Sequence, residues 1–434
     1  MDFKLNRGKI ARLIIETYAT RVFNLAVLFV SDILISRMIG TEGRGYVGAA
    51  KLWAMLACMV FTFGLDSTAI YYTGASHGRF HRLARQYLGY AAVAFFFGAV
   101  MLWGVDHLKN LFGNVSGLYL LTVGLFAAAL LTALFNALFI GIGRLSFTNK
   151  LLTVGSGLLL ASLIFIYFSG YGRITTVLQV ILLSQAVNVI LLVTWAFRIK
   201  GLDEPKEINR KEFARYSVTQ YVSNIGGFFY MRGSAIILTL VASMSEVGLY
   251  SIAQVMTDML LILPNILINI VFPATAGMER PDAIRRISET ARFCSTISLI
   301  GLLALSLAAF FIVPLLFGPA FKPAVGMIWV LAAGAWMAAV SMVLSIYFNV
   351  TNQPRIPAFA VWIGFATSAA LTVLLAPHWG GYGAAIALVL SRFAVLCYML
   401  TLYVRESEEN VFDLLFLSHE DWRRGGLLLK GMLG

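Results

Sequence analysis

Seven ionisable residues lie inside long apolar segments of this 434-residue chain. A charged side chain in the hydrocarbon core of a membrane costs about 2.5–3.5 kcal/mol on insertion scales, so each of the seven is a candidate functional residue. Four are basic and three are acidic, a balance that suits the binding of an anionic ligand. They are Arg21, Lys51, Arg232, Arg392, Asp32, Asp66 and Asp258.

Six of these residues can be matched into opposite-charge pairs by their depth in the membrane. Depth is counted in residues from the turn that joins two consecutive helices, and turns are expected near residues 42 and 245. The pairs are Asp32 with Lys51, Arg21 with Asp66, and Arg232 with Asp258. Such pairs either neutralise one another between helices or line a cavity whose cations exchange partners with an anionic substrate, and the sequence leaves both readings open. The three acids are also candidates for ion coupling.

Arg392 differs from the other six residues because no acid lies on its own helical hairpin. A guanidinium stays charged, and its planar fork binds a phosphate through two hydrogen bonds. An arginine without a carboxylate partner therefore either faces water or an anion, or bonds to carbonyl groups at a helix end. The first interpretation makes Arg392 the leading candidate for contact with an anionic group such as a phosphate.

The composition predicts an integral membrane protein. Apolar residues make up 59% of the chain and charged residues 12%, whereas soluble domains average about 45–50% and about 25%. This composition excludes an ordinary soluble globule and a disordered chain. A helix needs about 20 mostly apolar residues to cross a bilayer. The qualifying segments are 13–37, 46–73, 87–105, 117–142, 151–169, 175–197, 216–241, 247–274, 293–316, 325–348, 357–376 and 383–404.

Basic residues are distributed asymmetrically between the predicted loops. With the amino terminus in the cytoplasm, the inside segments hold 24 of the 33 Lys and Arg residues and the outside loops hold five. Because Lys and Arg mark cytoplasmic loops, both termini are expected in the cytoplasm. The net charge of +12 is then explained by topology and anionic headgroups, not by nucleic acid.

The expected fold is all-α, with twelve transmembrane helices in two six-helix lobes. Residues 45–51 (GYVGAAK) are weakly similar to residues 248–254 (GLYSIAQ), and a polar segment lies between the halves. Six helices per half make the repeats parallel, related by a pseudo-two-fold axis along the membrane normal, as in transporters. The predicted regions are an amino-terminal lobe 1–197, a cytoplasmic linker 198–212, a carboxy-terminal lobe 213–404 and an amphipathic cytoplasmic tail 405–434.

Several short motifs resemble one known family. They are RMIG at 37–40, GY at 45–46, FGLD at 63–66, EVGLYSIAQ at 246–254, FP at 272–273 and LFGPAF at 316–321. Over nearly the whole chain, the sequence is similar to the polysaccharide-flippase, O-antigen-translocase-like branch of the multidrug, oligosaccharidyl-lipid and polysaccharide exporter superfamily. The motifs are short, so they point to the superfamily more strongly than to a substrate.

The resemblance implies a transporter and not an enzyme, with no catalytic residue, cofactor or metal. It would move a polyprenyl-pyrophosphate-linked oligosaccharide from the inner to the outer leaflet of a bacterial cytoplasmic (inner) membrane by alternating access. Expected partners are that substrate, membrane lipid and a glycan polymerase or synthase. In related flippases, cations of the first, second and eighth helices hold the pyrophosphate. Arg21 and Lys51 match the first two positions, the eighth span offers only Asp258, and Arg232 matches no family motif.

Three other functions stay open at this point. A cation-coupled drug antiporter shares the fold but calls for surplus acid in its cavity, and a peptidoglycan-precursor flippase usually has two further helices. A membrane enzyme of glycan assembly needs a large catalytic loop, whereas the longest predicted outside loop has about eleven residues. Glycan selectivity is assigned to dispersed polar side chains, namely Asn136, Gln185, Gln220, Tyr221 and Asn224.

Overall fold

A computed structural model describes residues 7–75, 79–112, 115–199 and 209–416, and the regular elements in these ranges are helices. The α-helices are α1 Arg7–Thr62, α2 Leu65–Ala75, α3 Phe80–Lys109, α4 Leu118–Gly141, α5 Leu145–Ser169, α6 Ile174–Arg198, α7 Arg210–Val241, α8 Met244–Asp258, α9 Ile262–Thr275, α10 Arg280–Phe317, α11 Ala324–Val350, α12 Arg355–Ser407 and α13 Val411–Leu415. The predicted all-α class is confirmed.

Ten helical segments within the described ranges are long and apolar enough to cross a membrane. Two of them are interrupted at a glycine with left-handed backbone angles: α1 at Gly40 (φ 67°, ψ −169°) and α12 at Gly380 (φ 53°, ψ −133°). Glycine adopts such angles without the steric cost of a Cβ atom. Both glycines fall where the sequence predicts the connection between two spans, so the number of crossings depends on whether each kinked helix crosses twice.

The chain forms two compact units, Met1–Ile225 and Gly226–Gly434, which divide inside α7. The linker predicted at 198–212 lies largely outside the described residues, which resume at residue 209 after a gap at 200–208. The predicted tail includes the end of α12 and the short helix α13, and its residues 417–434 lie outside the described part of the chain.

The span predicted at 46–73 is broken at Phe63 and Gly64, both of which have left-handed φ angles. Tyrosine hydroxyls from α3 donate to carbonyl groups at this break, Tyr87 to Leu65 at 2.8 Å and Tyr90 to Phe61 at 2.6 Å. An unpaired carbonyl is expensive where water is excluded, so these donors stabilise the interrupted helix.

The span predicted at 247–274 is also interrupted. A 3-10 turn at Met259–Leu261 separates α8 from α9, and Pro264 follows one turn later. Because proline has no N–H group, it leaves the carbonyl four residues earlier without its helical partner, and the backbone tightens there. The break places Asp258, the last residue of α8, at an irregular point of the helix.

Candidate substrate-binding site

In the amino-terminal unit, Asp32 forms an ion pair across the kink of α1. Its partner is Arg44, whose Nη1 donates to Asp32 Oδ1 at 2.6 Å; the side chain of Arg44 is 4% exposed and that of Asp32 is 12% exposed. Lys51, the partner expected from depth, is exposed and within electrostatic range of the same carboxylate. The sequence places Arg44 in an outside loop, but the bend at Gly40 brings it back over Asp32.

Replacing Asp32 by alanine is expected to destabilise the protein by about 3 kcal/mol, because the buried guanidinium of Arg44 would keep its charge and lose the carboxylate that neutralises it. Thermal unfolding of the full chain in detergent measures the change. Glu42 lies on the same helix and is exposed, so Glu42→Gln is the matched control and should change stability by less than about 0.5 kcal/mol. Equal shifts for the two variants would show that the pair adds nothing to the stability of the kink.

The pair predicted between Arg21 and Asp66 does not form. Arg21 is exposed, and within the described ranges it makes neither a hydrogen bond nor an ion pair. Asp66 is half-buried in the first turn of α2, and its Oδ1 atom is buried without a hydrogen-bond partner. The predicted depth of Asp66 assumes one continuous helix, and the helix is broken at Phe63 and Gly64.

The polar residues assigned to glycan selectivity occupy different helices. Asn136 lies on α4 and Gln185 on α6, and the Oε1 atom of Gln185 is buried without a partner. Gln220, Tyr221 and Asn224 lie together on the first half of α7, beside α2. The structure therefore unites three of the five on one face of a helix.

In the carboxy-terminal unit, the predicted pair of Arg232 and Asp258 forms between α7 and α8. Arg232 Nη2 lies 3.0 Å from Asp258 Oδ2, and the side chains are 31% and 25% exposed. The amide of Gln254 donates to the carbonyl of Met231 at 3.1 Å, which ties the two helices together beside the pair. This pair is more accessible than that of Asp32, so an incoming anion can compete with Asp258 for Arg232.

Arg392 lies in the interior of the same unit and is only 3% exposed. Within the described part of the chain it forms no hydrogen bond and no ion pair. Its side chain passes Gly334 of α11, where an added Cβ would lie 3.2 Å from Arg392 Cδ. The neighbouring Ser391 is fixed by a hydrogen bond from its hydroxyl to the carbonyl of Gly364 at 2.6 Å. Arg392 is therefore held in place by packing while its charge is left for another partner.

Tyr250 lies near Arg392 and the ion pair, and sequence patterns do not predict this role. It is fully buried, and among the described residues its hydroxyl has no hydrogen-bond partner. Arg392, Arg232 and Asp258 all lie within electrostatic range of that hydroxyl. Buried polar groups are almost always hydrogen-bonded, so this hydroxyl, within electrostatic range of two arginines, marks a place for a ligand or an ordered water. Tyr250 could be found in the sequence only as part of the repeated segment that opens the eighth span.

We call the group formed by Arg232, Tyr250, Asp258 and Arg392 the cationic cluster. Its two guanidinium groups and one carboxylate give it a net charge of +1. Guanidinium groups of this kind bind phosphate or carboxylate oxygens. The long apolar helices and the charged groups buried among them define a multi-pass membrane transport protein.

The chain belongs to the polysaccharide biosynthesis protein family, whose model matches residues 13–279. This result confirms the resemblance to the polysaccharide-flippase branch of the exporter superfamily. A curated relative is the probable low-salt glycan biosynthesis flippase Agl15 of Haloferax volcanii, with 25% identity over 262 residues, 58% of this chain and 52% of the relative. The match spans about half the length of that relative.

Solved transporter structures show the same fold. The lipid II flippase MurJ in an inward closed conformation superposes with a TM-score of 0.73 at 13% identity, over 98% of this chain and 96% of that one. An inward-facing multidrug resistance transporter of the MATE family gives a TM-score of 0.65 at 17% identity, over 90% and 95%. A transporter of the MOP superfamily from Pyrococcus furiosus gives 0.60 at 16% identity, over 92% and 96%.

Proposed function

We propose that this protein is a flippase that moves a polyprenyl-pyrophosphate-linked oligosaccharide from the inner to the outer leaflet by alternating access. The observation that carries the proposal is the cationic cluster, in which Arg392 is buried without a carboxylate partner among the described residues, and the Tyr250 hydroxyl lies within electrostatic range of both Arg392 and the accessible pair of Arg232 and Asp258. The family and the curated relative, a probable glycan biosynthesis flippase, support a glycan-linked substrate.

Pyrophosphate is the part of such a substrate that most needs a protein to cross the membrane. Its charges cannot enter hydrocarbon unaided, whereas the prenyl chain can remain in the lipid. In the cationic cluster, Arg392 would donate two hydrogen bonds to the phosphate oxygens and the Tyr250 hydroxyl would donate a third. Arg232 would exchange Asp258 for the phosphate, so that its guanidinium keeps an anionic partner before and after substrate binds.

Arg21 and Lys51 are the proposed second set of cations, located in the amino-terminal unit. Both side chains are exposed on α1, and Arg21 forms no bond with the described residues. Exposed cations in an apolar helix are costly unless they face water or an anion. We assign them to the pyrophosphate at an earlier or later stage of transport than the cationic cluster.

The proposed topology has twelve crossings, in two six-helix lobes, with both termini in the cytoplasm. Ten membrane-length segments become twelve crossings if α1 crosses the membrane once before and once after Gly40, and α12 once before and once after Gly380. The excess of basic residues in the predicted inside loops supports this orientation. The corresponding location is the inner membrane of a bacterium, with a glycan polymerase or synthase as partner.

Deletion of the gene is the direct test of this function. Surface polysaccharide should be lost, and the polyprenyl-pyrophosphate oligosaccharide should accumulate on the cytoplasmic face, because synthesis continues while export stops. Labelling of surface glycan and extraction of the lipid-linked precursor measure the two effects. Normal surface glycan without accumulation of the precursor would reject the proposal. Loss of resistance to cationic compounds in the same strain would instead favour a drug antiporter.

The driving force is proposed to include the membrane potential. Each negative charge that moves outward across a membrane with a negative interior gains about 2.3 kcal/mol per 100 mV.

Among the three candidate coupling acids, Asp32 is held by Arg44 and Asp258 by Arg232, whereas Asp66 has a buried oxygen without a hydrogen-bond partner among the described residues. An imposed Na⁺ or pH gradient should therefore accelerate flipping by the wild-type protein but not by Asp66→Asn. Equal acceleration of both proteins would remove Asp66 from the coupling mechanism.

A further inference from the structure

A row of aromatic and polar side chains lies between α2 and the first half of α7, within the amino-terminal unit. It comprises Phe63, Tyr71, Tyr216, Gln220, Tyr221 and Asn224, and we call it the aromatic strip. The cationic cluster does not include these residues, and only the last three of them are among the polar side chains predicted from the sequence to select the glycan.

The strip depends on an unusually close approach of α7 to the break that precedes α2. A Cβ atom on Gly64 would lie 2.3 Å from the carbonyl oxygen of Ser217 and 2.8 Å from the backbone nitrogen of Tyr221, so only glycine fits there. Ser217 is also hydrogen-bonded to Thr68 of α2 at 2.8 Å. These contacts set one face of α7 firmly against α2, and side chains four residues apart on that face form a row.

Two pairs of rings form the apolar part of the strip. Tyr71 stacks on Tyr216 with ring centroids 5.0 Å apart and an interplanar angle of 22°. Phe63 packs against Tyr221 at 5.0 Å. Tyr71 is nevertheless 57% exposed and Phe63 45% exposed, so each pair offers an open ring surface beyond the contact it makes.

The polar groups of the strip are largely free of protein partners. Within the described ranges, no hydrogen bond is formed by the hydroxyls of Tyr71, Tyr216 and Tyr221 or by the amide of Gln220. By contrast, the nearby Tyr87 and Tyr90 use their hydroxyls to bind carbonyl groups at the helix break. Asn224 donates to Ser67 at 3.4 Å and keeps its carbonyl oxygen available.

The surroundings of the strip are more polar than the other exposed helix faces. The first half of α7 exposes Arg215, Thr219 and Ser223 as well as Val218 and Val222, and α7 is the least apolar of the ten membrane-length segments described. Exposed faces elsewhere carry larger apolar side chains, for example Phe168 and Leu307. Aromatic rings with free hydroxyls and amides at an aqueous surface suit a sugar, which has an apolar face of C–H groups and a rim of hydroxyls.

We infer that the aromatic strip binds the oligosaccharide of the lipid-linked substrate, with sugar rings stacked on Tyr71 and Tyr216 and their hydroxyls bonded by Gln220 and Asn224. The inference rests on the proposed flippase function and adds the residues that recognise the glycan. The strip begins six residues into α7 and four residues before the end of α2, both next to predicted cytoplasmic segments. A glycan assembled in the cytoplasm would meet it on entry.

Binding to the full-length protein in lipid nanodiscs tests this inference with two probes. One is the polyprenyl-pyrophosphate oligosaccharide extracted from the membranes of the source organism, and the other is polyprenyl pyrophosphate of the same chain length without sugar. The wild type should bind the glycosylated probe more tightly. Tyr216→Ala and Gln220→Ala should weaken that binding about tenfold and leave the bare probe unaffected, and Tyr216→Phe should retain most of the affinity. Tyr171 is an exposed tyrosine outside the strip, and Tyr171→Ala is the matched control.

The outcomes separate this inference from the proposed function. Equal wild-type affinity for the two probes would overturn the role of the strip while leaving pyrophosphate binding intact. Equal weakening of both probes by Gln220→Ala, which removes no hydrogen bond to any described residue, would also overturn it. If the wild type bound neither probe, the flippase proposal would be wrong and the inference with it. Arg392→Ala should weaken both probes by the same factor, which is the signature of a pyrophosphate contact.

Discussion

Replacement of Arg392 by alanine is expected to lower the rate of glycan-lipid flipping in proteoliposomes about a hundredfold. Losing a buried, charge-assisted contact with a phosphate costs about 3 kcal/mol, and about 1.4 kcal/mol corresponds to a factor of ten. Arg392 is 3% exposed and has no described ion-pair partner, so its removal leaves no carboxylate unpaired. The folded protein should therefore keep its stability while the transported anion loses its main contact.

Lysine at the same position should restore only part of the rate, because an ammonium group is a point charge and cannot bind two oxygens in a planar fork. Arg405 lies near the end of the same helix and is exposed, which makes Arg405→Ala the matched control with an unchanged rate. A wild-type rate for Arg392→Ala would assign the guanidinium to packing and move the search for the phosphate site to Arg21 and Lys51.

Removal of Arg232 is expected to slow flipping about thirtyfold, and removal of Asp258 together with it should recover part of that loss. In Arg232→Ala the carboxylate of Asp258 remains, without its 3.0 Å partner, and repels the substrate. In the double variant that repulsion is absent. Flipping rates of the two single variants and the double variant form a cycle that measures the coupling between the residues and the substrate.

Arg280 and Glu406 supply the control for this cycle. They form an ion pair of the same length, 3.0 Å, in the same unit but outside the cationic cluster. Arg280→Ala should leave the flipping rate unchanged. If Arg232→Ala altered only the thermal stability and not the flipping rate per folded molecule, the pair would be a structural link between α7 and α8. That result would favour the interpretation in which the two charges only neutralise one another.

The charged residues show which predictions depend on local regularity. Arg232 and Asp258 lie at equal distances from one turn, along helices that are continuous over that distance, and the pair predicted from those distances forms. The same count fails for Arg21 and Asp66 because Phe63 and Gly64 break the second span. It also missed Arg44 as a partner of Asp32, since the turn lies at Gly40 and not near residue 42.

The sequence by itself determined the class of the protein, its apolar helices and the identity of the costly charges. These follow from composition and segment length, because a backbone in hydrocarbon must satisfy its own hydrogen bonds and a helix is the local way to do so. Only the tertiary structure decided which partner each charge takes, that Tyr250 lies within electrostatic range of both Arg392 and the ion pair, and that Tyr71 stacks on Tyr216. Those contacts depend on the angles at helix breaks and on packing between helices that are far apart in the chain. The spacing of residues along one helix predicts neither.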